Sequence, residues 1–150
     1  MLLDLAYRAR RLVLHVTGWR TRGVRVMVFD DEGRVLLVRH GYGATRTWYV
    51  PGGGIRRRET PDAAARREVR EETGCTIGEL SAVGAFSSTA EGWRDTVHLF
   101  TGVTGDAPRA DGWEVAQAQF FAPDALPAPL SPAVARRLAE RAGASRSAEW

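Results

Sequence analysis

The sequence predicts a single α/β domain over residues 1–150, and three observations support this prediction. Strand patterns and helix patterns alternate along the chain, which is typical of a mixed α/β domain. No internal repeat or interdomain linker divides it. With 150 residues, 44% of them apolar, the chain can bury one substantial hydrophobic core.

The N-terminal residues 1–20 form a predicted helical extension. Over residues 2 to 17, apolar side chains including Leu5, Val13 and Val16 recur near one face of a helix, and the arginines fall largely elsewhere. This helix could cover the domain, build a homodimer or lie on an anionic membrane surface. We expect covering or dimer contact, because the helix is short and its apolar face is modest.

The next segments predict a hairpin followed by a glycine turn. Residues 24–29 and 35–38 are predicted strands, and the sequence DDEG at 30–33 is typical of the turn between them. Residues 41–46 form a predicted flexible loop. A short aromatic strand at 48–50 then leads into the sequence PGGG at 51–54.

The second half of the chain predicts three more strands and a helix. The strands are expected at 76–87, with an interruption near Gly84, at 95–103 and at 114–121. Ser131 and Pro132 can start a helix that runs to about residue 141, with Val134, Leu138 and Ala139 facing inward. Residues 142–150 are expected to form a loose tail.

Composition excludes some classes of protein. Cys75 is the single cysteine, which rules out an internal disulfide and a cysteine-based zinc site. No stretch is long and apolar enough to span a membrane, and the N-terminus does not resemble a secretory signal, so we expect a cytoplasmic protein. The net charge is +3, and all of the basic charge is arginine, with no lysine in the chain. Arginine suits an anionic ligand but does not require nucleic acid, and its abundance can equally reflect genomic base composition, which we favour.

A helix with clear end signals is predicted between residues 60 and 74. Thr60 can cap it, Pro61 suits its first turn, and Asp62 complements the positive end of its dipole. Gly74 suits the left-handed residue that ends it.

Three carboxylates fall on one face of this helix. Glu68, Glu71 and Glu72 occupy positions i, i+3 and i+4, where like charges repel one another. Divalent cations would neutralise this repulsion, and Mg²⁺ prefers carboxylate oxygens together with substrate phosphates and water. Arg67 lies four residues before Glu71 and can pair with it. A solvated surface helix is the alternative explanation of the charges.

The stretch from Gly53 to Cys75, GGIRRRETPDAAARREVREETGC, resembles the Nudix box of the Nudix hydrolases. Gly53, Glu59, the sequence REV at 67–69, Glu71, Glu72 and Gly74 occupy its fixed positions. This resemblance implies the Nudix fold, an α/β/α sandwich with a mixed sheet. It also implies Mg²⁺-dependent cleavage of a diphosphate linkage in a nucleoside diphosphate derivative, with Mn²⁺ as an alternative ion.

The resemblance implies roles for particular residues. Glu68, Glu71 and Glu72 would bind metal, with the Gly52 carbonyl and a glutamate near the last strand, Glu114, as further candidate ligands. Arg67 would orient the carboxylates, and Glu59 would brace the glycine turn against the helix. The general base would be a helix glutamate such as Glu71 or Glu68, or an outside carboxylate among Glu91, Asp95 and Glu114. Each outside carboxylate could also be a plain surface residue, which we favour.

Candidate substrate-binding residues are Arg56, Arg58 and Trp48. The triplet at 56–58 could bind phosphates or a nucleic-acid backbone, or could be a solvated loop, which we favour. Many family members have glycine where this chain has Arg58. Tyr49, Trp93 and Trp113, like Trp48, could stack on a base, although such residues are more often buried in a core or an interface.

The leading hypothesis is a nucleotide pyrophosphohydrolase, and the alternative is a non-catalytic nucleotide-sensing module of the same fold. Sensing modules often lose the box carboxylates, whereas this chain keeps them all. A third hypothesis, isoprenoid diphosphate isomerisation, needs a cysteine outside the box. The single cysteine of this chain lies inside the box, which disfavours that reaction.

Overall fold

The computed structural model describes residues 22–41, 46–88 and 95–150 of the chain. The predicted N-terminal helix lies outside these residues, as do Glu91, Trp93 and most of the predicted loop at 41–46. The roles proposed for those segments therefore stay predictions. Within the described residues, no helix is long and apolar enough to cross a membrane.

Strands and helices alternate in the order that the sequence predicts. The strands are β1 (Arg22–Phe29), β2 (Val35–His40), β3 (Trp48–Tyr49), β4 (Gly52–Gly54), β5 (Leu80–Ser88), β6 (Asp95–Val103) and β7 (Val115–Phe121). The helices are α1 (Pro61–Thr73) and α2 (Pro132–Arg141).

The described strands form one mixed sheet between two helices. Its main order is β3-β2-β1-β6-β5, with β4 paired to β1 and β7 paired to β2. The pair β1–β6 is parallel, and the other pairs are antiparallel. One face packs Val26 and Leu36 against Ala64 and Val69 of α1, and the other packs Leu37 against Val134 of α2. This arrangement confirms the predicted α/β/α sandwich.

Helix α1 has the end structures that its sequence predicts. The Thr60 hydroxyl accepts a hydrogen bond from the Ala63 backbone N–H at 3.4 Å, and Pro61 occupies the first turn. Gly74 adopts the left-handed conformation with φ 71°, and its N–H donates to the Arg70 carbonyl. Local sequence signals therefore fix both ends of the helix that carries the box carboxylates.

The strand predicted from residue 76 begins later, at Leu80. In the residues before Leu80, backbone groups form hydrogen bonds with side chains. Asp106 accepts from the Thr76 N–H at 2.7 Å, and Arg66 donates to the Ile77 carbonyl at 2.6 Å. These bonds replace the strand pairing that we expected. The interruption near Gly84 is confirmed by a shift of register between Ala82 and Gly84.

The C-terminal residues are docked on the sheet, so the prediction of a loose tail over 142–150 is wrong for this structure. The Ser87 N–H donates to the Ala148 carbonyl at 3.3 Å, and the Trp150 N–H donates to the Ser87 carbonyl at 2.8 Å. Trp150 packs against the core cluster on the α2 side of the sheet. The tail therefore extends the domain along the edge strand β5.

The inward face of α2 also differs from the prediction. Val134 is buried, but Ala139 is exposed, and Arg137 is 1% exposed in the interior. Arg137 donates to the Ser147 carbonyl at 3.1 Å and to the Glu149 carbonyl, so it holds the docked tail. Its burial depends on residues ten or more positions away, which helical periodicity does not reveal.

Candidate active site

Strand β4 brings the backbone close to helix α1 because it consists of three glycines. A Cβ atom added at Gly53 would lie 2.6 Å from the Glu68 carboxylate, and one at Gly52 would lie 2.1 Å from the Val24 carbonyl. Any other residue at these positions would force apart the strand and its neighbours. The glycine turn predicted from the sequence is therefore a short strand that forms one wall of the carboxylate site.

Arg67 joins the carboxylates of the site to the glycine strand through five hydrogen bonds. Its Nε and Nη2 donate to the two carboxylate oxygens of Glu59 at 2.7 and 2.9 Å, and Nη2 also donates to the Gly54 carbonyl at 3.0 Å. Its Nη1 donates to Glu68 Oε1 at 2.6 Å and to Glu71 Oε2 at 3.2 Å. The guanidinium thus fixes the carboxylates relative to the glycine strand.

Glu59 joins the turn to the helix. Besides the two bonds from Arg67, its Oε2 accepts from the Arg56 backbone N–H at 2.8 Å. These hydrogen bonds, from Arg67 first and then from Arg56, lower the pKa of Glu59 to about 2. Glu59 is therefore a carboxylate at neutral pH, in the position expected for a residue that braces the turn.

Glu72 is the buried carboxyl group of the site, with 3% of the residue exposed. Its Oε2 accepts from the Gly52 N–H at 3.0 Å. Burial raises the pKa of Glu72 to about 8, and the negative charges of Glu68 and Glu114 add to this shift. A carboxylate in such a place is costly unless a cation neutralises it.

The donor set of the site suits a hard divalent cation. Glu68, Glu71 and Glu72 offer carboxylate oxygens, which Mg²⁺ and Mn²⁺ prefer. In the described residues, no group of three or more His, Cys, Asp or Glu side chains is already arranged to hold a metal ion. Arg67 binds Glu68 and Glu71, while Glu72 accepts from the Gly52 N–H. A bound cation would compete with the guanidinium for these oxygens.

Glu114 immediately precedes β7 and is exposed. Its charge contributes to the raised pKa of the buried Glu72, so the fold brings it towards the box helix from far along the sequence. The Gly52 N–H points to Glu72, so the backbone at Gly52 lies at the site, and the role of its carbonyl as a metal ligand stays a prediction. Asp95 begins β6 at the other side of β1.

The arginine triplet is exposed, and only part of it faces the carboxylates. Arg56 Nη2 lies 3.2 Å from Glu71 Oε1, with 64% of the Arg56 side chain exposed. Arg57 and Arg58 are exposed. The arrangement leaves the guanidinium of Arg56 at the site, where it can meet an anionic ligand.

Arg58 has a backbone conformation that favours glycine. Its φ of 64° lies in the left-handed region, which costs a residue with a Cβ about 1 to 2 kcal/mol. We expect Arg58→Gly to raise the free energy of unfolding by about 0.5 to 1 kcal/mol, because the relief of strain exceeds the added chain entropy. Urea unfolding, monitored by fluorescence, measures this change. Arg57→Gly is the matched control and should give no gain, whereas equal stability of both variants would contradict the prediction.

Trp48 does not fit the substrate-binding role that we predicted. It is 8% exposed, and its ring packs edge-on against Phe121 with centroids 4.9 Å apart. The indole therefore fills the core on the α2 side and has no free face for a base. Trp113 differs, since 69% of it is exposed.

Comparison with known proteins agrees with this geometry. The family model described as NUDIX domain matches residues 19–142. The chain belongs to the Nudix hydrolase family. A Bacillus subtilis (strain 168) protein named "Putative 8-oxo-dGTP diphosphatase" is 33% identical over 108 residues, which cover 71% of this chain and 70% of that protein. The resemblance read from the Nudix box is therefore confirmed.

A second relative matches this chain over a smaller part of its own length. An RNA pyrophosphohydrolase of Caulobacter vibrioides (strain NA1000 / CB15N) is 36% identical over 100 residues, which cover 66% of this Nudix chain and 54% of that protein. The chain thus spans about half the length of this relative.

A solved structure supports the fold. The crystal structure of a MutT NUDIX hydrolase from Burkholderia pseudomallei has a TM-score of 0.71, with 24% identity, and covers 81% of this chain and 97% of that one. The Nudix-type α/β/α sandwich is confirmed. Members of the family generally use divalent metal ions.

Proposed function

We propose that the protein hydrolyses a diphosphate linkage in a nucleoside diphosphate derivative, using Mg²⁺ or Mn²⁺. The observation that supports this most strongly is the set of three glutamates, Glu68, Glu71 and Glu72, on one face of α1 against the glycine strand. The names of the relatives, a diphosphatase and an RNA pyrophosphohydrolase, agree with this reaction class.

The metal would be held by Glu68, Glu71 and Glu72, with the Gly52 carbonyl and Glu114 as further candidate ligands. A bound divalent cation would neutralise phosphate charge and make a bound water more acidic. The buried Glu72 would gain most from such a cation, because the protein around it offers little solvation. Nucleoside derivatives suit the site because their diphosphate carries the anionic oxygens that complete the coordination.

Two glutamates differ from Glu72 in ways that suit proton transfer. The Glu71 side chain is 50% exposed and Glu68 is 12% exposed, and both are tied to Arg67. We propose that one of them accepts the proton of the attacking water, while Arg67 and Glu59 position them. Arg56 would bind substrate phosphate from the exposed side of the site.

A substrate screen tests this function. The protein is incubated with Mg²⁺ and nucleoside triphosphates, oxidised triphosphates, nucleotide sugars, dinucleoside polyphosphates and 5′-triphosphate RNA, and the products are separated by chromatography. We expect turnover of at least one class, lost in the Glu72→Gln variant. Nucleotide binding without turnover of any class would instead favour a nucleotide-sensing module.

Arg67→Lys tests the positioning role. Lysine keeps the positive charge but cannot make the five directed bonds of the guanidinium, so the carboxylates should lose their fixed geometry. We expect kcat to fall about 10- to 100-fold and half-maximal activity to need more Mg²⁺. Steady-state kinetics across a Mg²⁺ titration measures both quantities.

Arg66→Lys is the matched control for Arg67→Lys. Arg66 is adjacent in the chain but donates to the Ile77 and Gly78 carbonyls, away from the carboxylates. Its substitution should leave both kinetic quantities unchanged. Normal kcat and normal Mg²⁺ dependence in Arg67→Lys would show that the guanidinium geometry is not needed.

A further inference from the structure

Trp113 is an exposed aromatic residue that core packing does not explain. It is 69% exposed, whereas Trp48 is 8% exposed within the core. The described residues include one other exposed large hydrophobic side chain, Val103, at the end of β6. Exposing an indole forgoes the burial that usually makes this residue stabilising, and it leaves the aromatic ring accessible to a ligand.

The backbone that carries Trp113 is fixed by an unusual set of hydrogen bonds. Asp111 Oδ1 accepts from the backbone N–H groups of Trp113, Glu114 and Val115, at 2.8, 3.0 and 2.9 Å. Gly112 closes the turn with a φ of 76° and donates its N–H to the Val115 carbonyl at 3.1 Å. These bonds therefore fix the backbone that carries the indole.

This turn lies at the same end of the sheet as the glycine strand of the carboxylate site. Val115 pairs with His40 at the end of β2, and β2 runs antiparallel to β1, whose first residues pair with the glycine strand. Trp113 directly precedes Glu114, whose charge acts on the buried Glu72. The Glu114 carbonyl accepts from the Gly41 N–H at 3.0 Å, which anchors the turn to the end of β2. Because the turn and the glycine strand lie at one end of the sheet, the nucleoside of a diphosphate bound at the box glutamates can extend towards the turn.

We propose that Trp113 stacks on the nucleobase of the substrate and so favours nucleoside derivatives, purines above all, over phosphates that lack a base. The inference rests on the proposed function. An indole offers a large flat π surface, and stacking on aromatic side chains is a general way to hold a base without reading its hydrogen-bonding edge. The larger ring system of a purine gains more from such stacking.

Substitution of Trp113 tests this role. In Trp113→Ala, KM for a purine nucleotide substrate should rise about 5- to 100-fold, with kcat within about 2-fold of the unaltered protein. Trp113→Phe should recover much of the lost affinity, because phenylalanine keeps an aromatic face. The Ki of inorganic tripolyphosphate, a competitor without a base, should not change.

Val103→Ala is the matched control, since it removes the other exposed large side chain and should leave KM unchanged. Turnover by the unaltered protein together with an unchanged KM in Trp113→Ala would overturn the stacking role and leave the hydrolase function standing. If the unaltered protein hydrolyses nothing, calorimetric binding of ATP decides instead. Weaker ATP binding in Trp113→Ala would then support the stacking role without the hydrolase function, and equal or absent binding would overturn it.

Discussion

Replacing Glu72 with glutamine should lower kcat by at least about 100-fold and leave the fold intact. Glutamine has the same shape and can still accept the Gly52 N–H bond through its amide oxygen. What it removes is the negative charge that a divalent cation would meet in this buried position. Stabilisation by a metal ion contributes several kcal/mol to such reactions, and each 1.36 kcal/mol corresponds to a tenfold change in rate.

The same variant should separate metal binding from folding. Without Mg²⁺, its Tm should equal or exceed that of the unaltered protein, because the glutamine needs no neutralising partner in the interior. Addition of Mg²⁺ should raise the Tm of the unaltered protein but not of Glu72→Gln, since a ligand stabilises only the folded state that binds it. Thermal unfolding with and without Mg²⁺, next to steady-state kinetics, measures both effects.

Glu79→Gln is the matched control for Glu72→Gln, because Glu79 is an exposed glutamate outside the site. It should keep normal kcat and a normal response to Mg²⁺. Loss of a metal ligand predicts a much larger fall in kcat than about 3-fold. A kcat for Glu72→Gln within about 3-fold of that of the unaltered protein would therefore remove Glu72 from the proposed set of metal ligands.

Replacing Arg137 with methionine should destabilise the protein by about 3 kcal/mol, because it breaks a buried ion pair. Arg137 is 1% exposed, and its Nη1 lies 3.0 Å from Glu140 Oε2. Its guanidinium also lies 4.0 Å from the Phe86 ring centroid and donates to two tail carbonyls. Methionine fills similar space but leaves these acceptors and the Glu140 charge without their partner.

Destabilisation should be concentrated at the C-terminal tail. Hydrogen exchange at residues 147–150 should accelerate more than at α1, because Arg137 joins α2 to the Ser147 and Glu149 carbonyls of the tail. The bond from Arg136 to the Trp150 carbonyl remains in this variant. Truncation after residue 146 should reproduce much of the loss. The losses of the two changes should then be less than additive when combined, as expected for groups in direct contact.

Arg57→Met is the matched control for Arg137→Met, since it removes an exposed arginine outside this cluster. It should change stability by no more than about 0.5 kcal/mol. A full loss of stability in Arg137→Met with unchanged exchange at the tail would show that Arg137 acts only within the packing of α2. Chemical unfolding and mass-spectrometric exchange provide the two measurements.

The site was predictable where its interactions are local in sequence. Thr60 and Gly74 fix the ends of α1 through neighbouring backbone groups, and helical spacing alone puts Glu68 and Glu72 on one face. Arg67 lies within reach of Glu71 by the same spacing, at i and i+4. Its second link, to Glu59, was not predicted from the sequence, because the chain must turn to bring the two residues together.

The errors came from residues whose surroundings are set by distant parts of the chain. Trp48 and Trp113 have the same side chain, but one enters the core beside Phe121 and the other stays exposed on a fixed turn. Arg137 has the charge of a surface residue and is nevertheless buried, since its partners come from the tail. Local pattern carries no information on such tertiary contacts.

The docked tail has a consequence for how copies of this protein behave at high concentration. Strand β5 lies at the edge of the sheet order, where free N–H and C=O groups can template pairing with another molecule. The tail forms backbone hydrogen bonds with Ser87 of this edge strand, and Arg146 donates to the Val83 carbonyl at 2.6 Å. A short C-terminal segment thereby shields the sheet from intermolecular β-pairing, and its loss should favour aggregation.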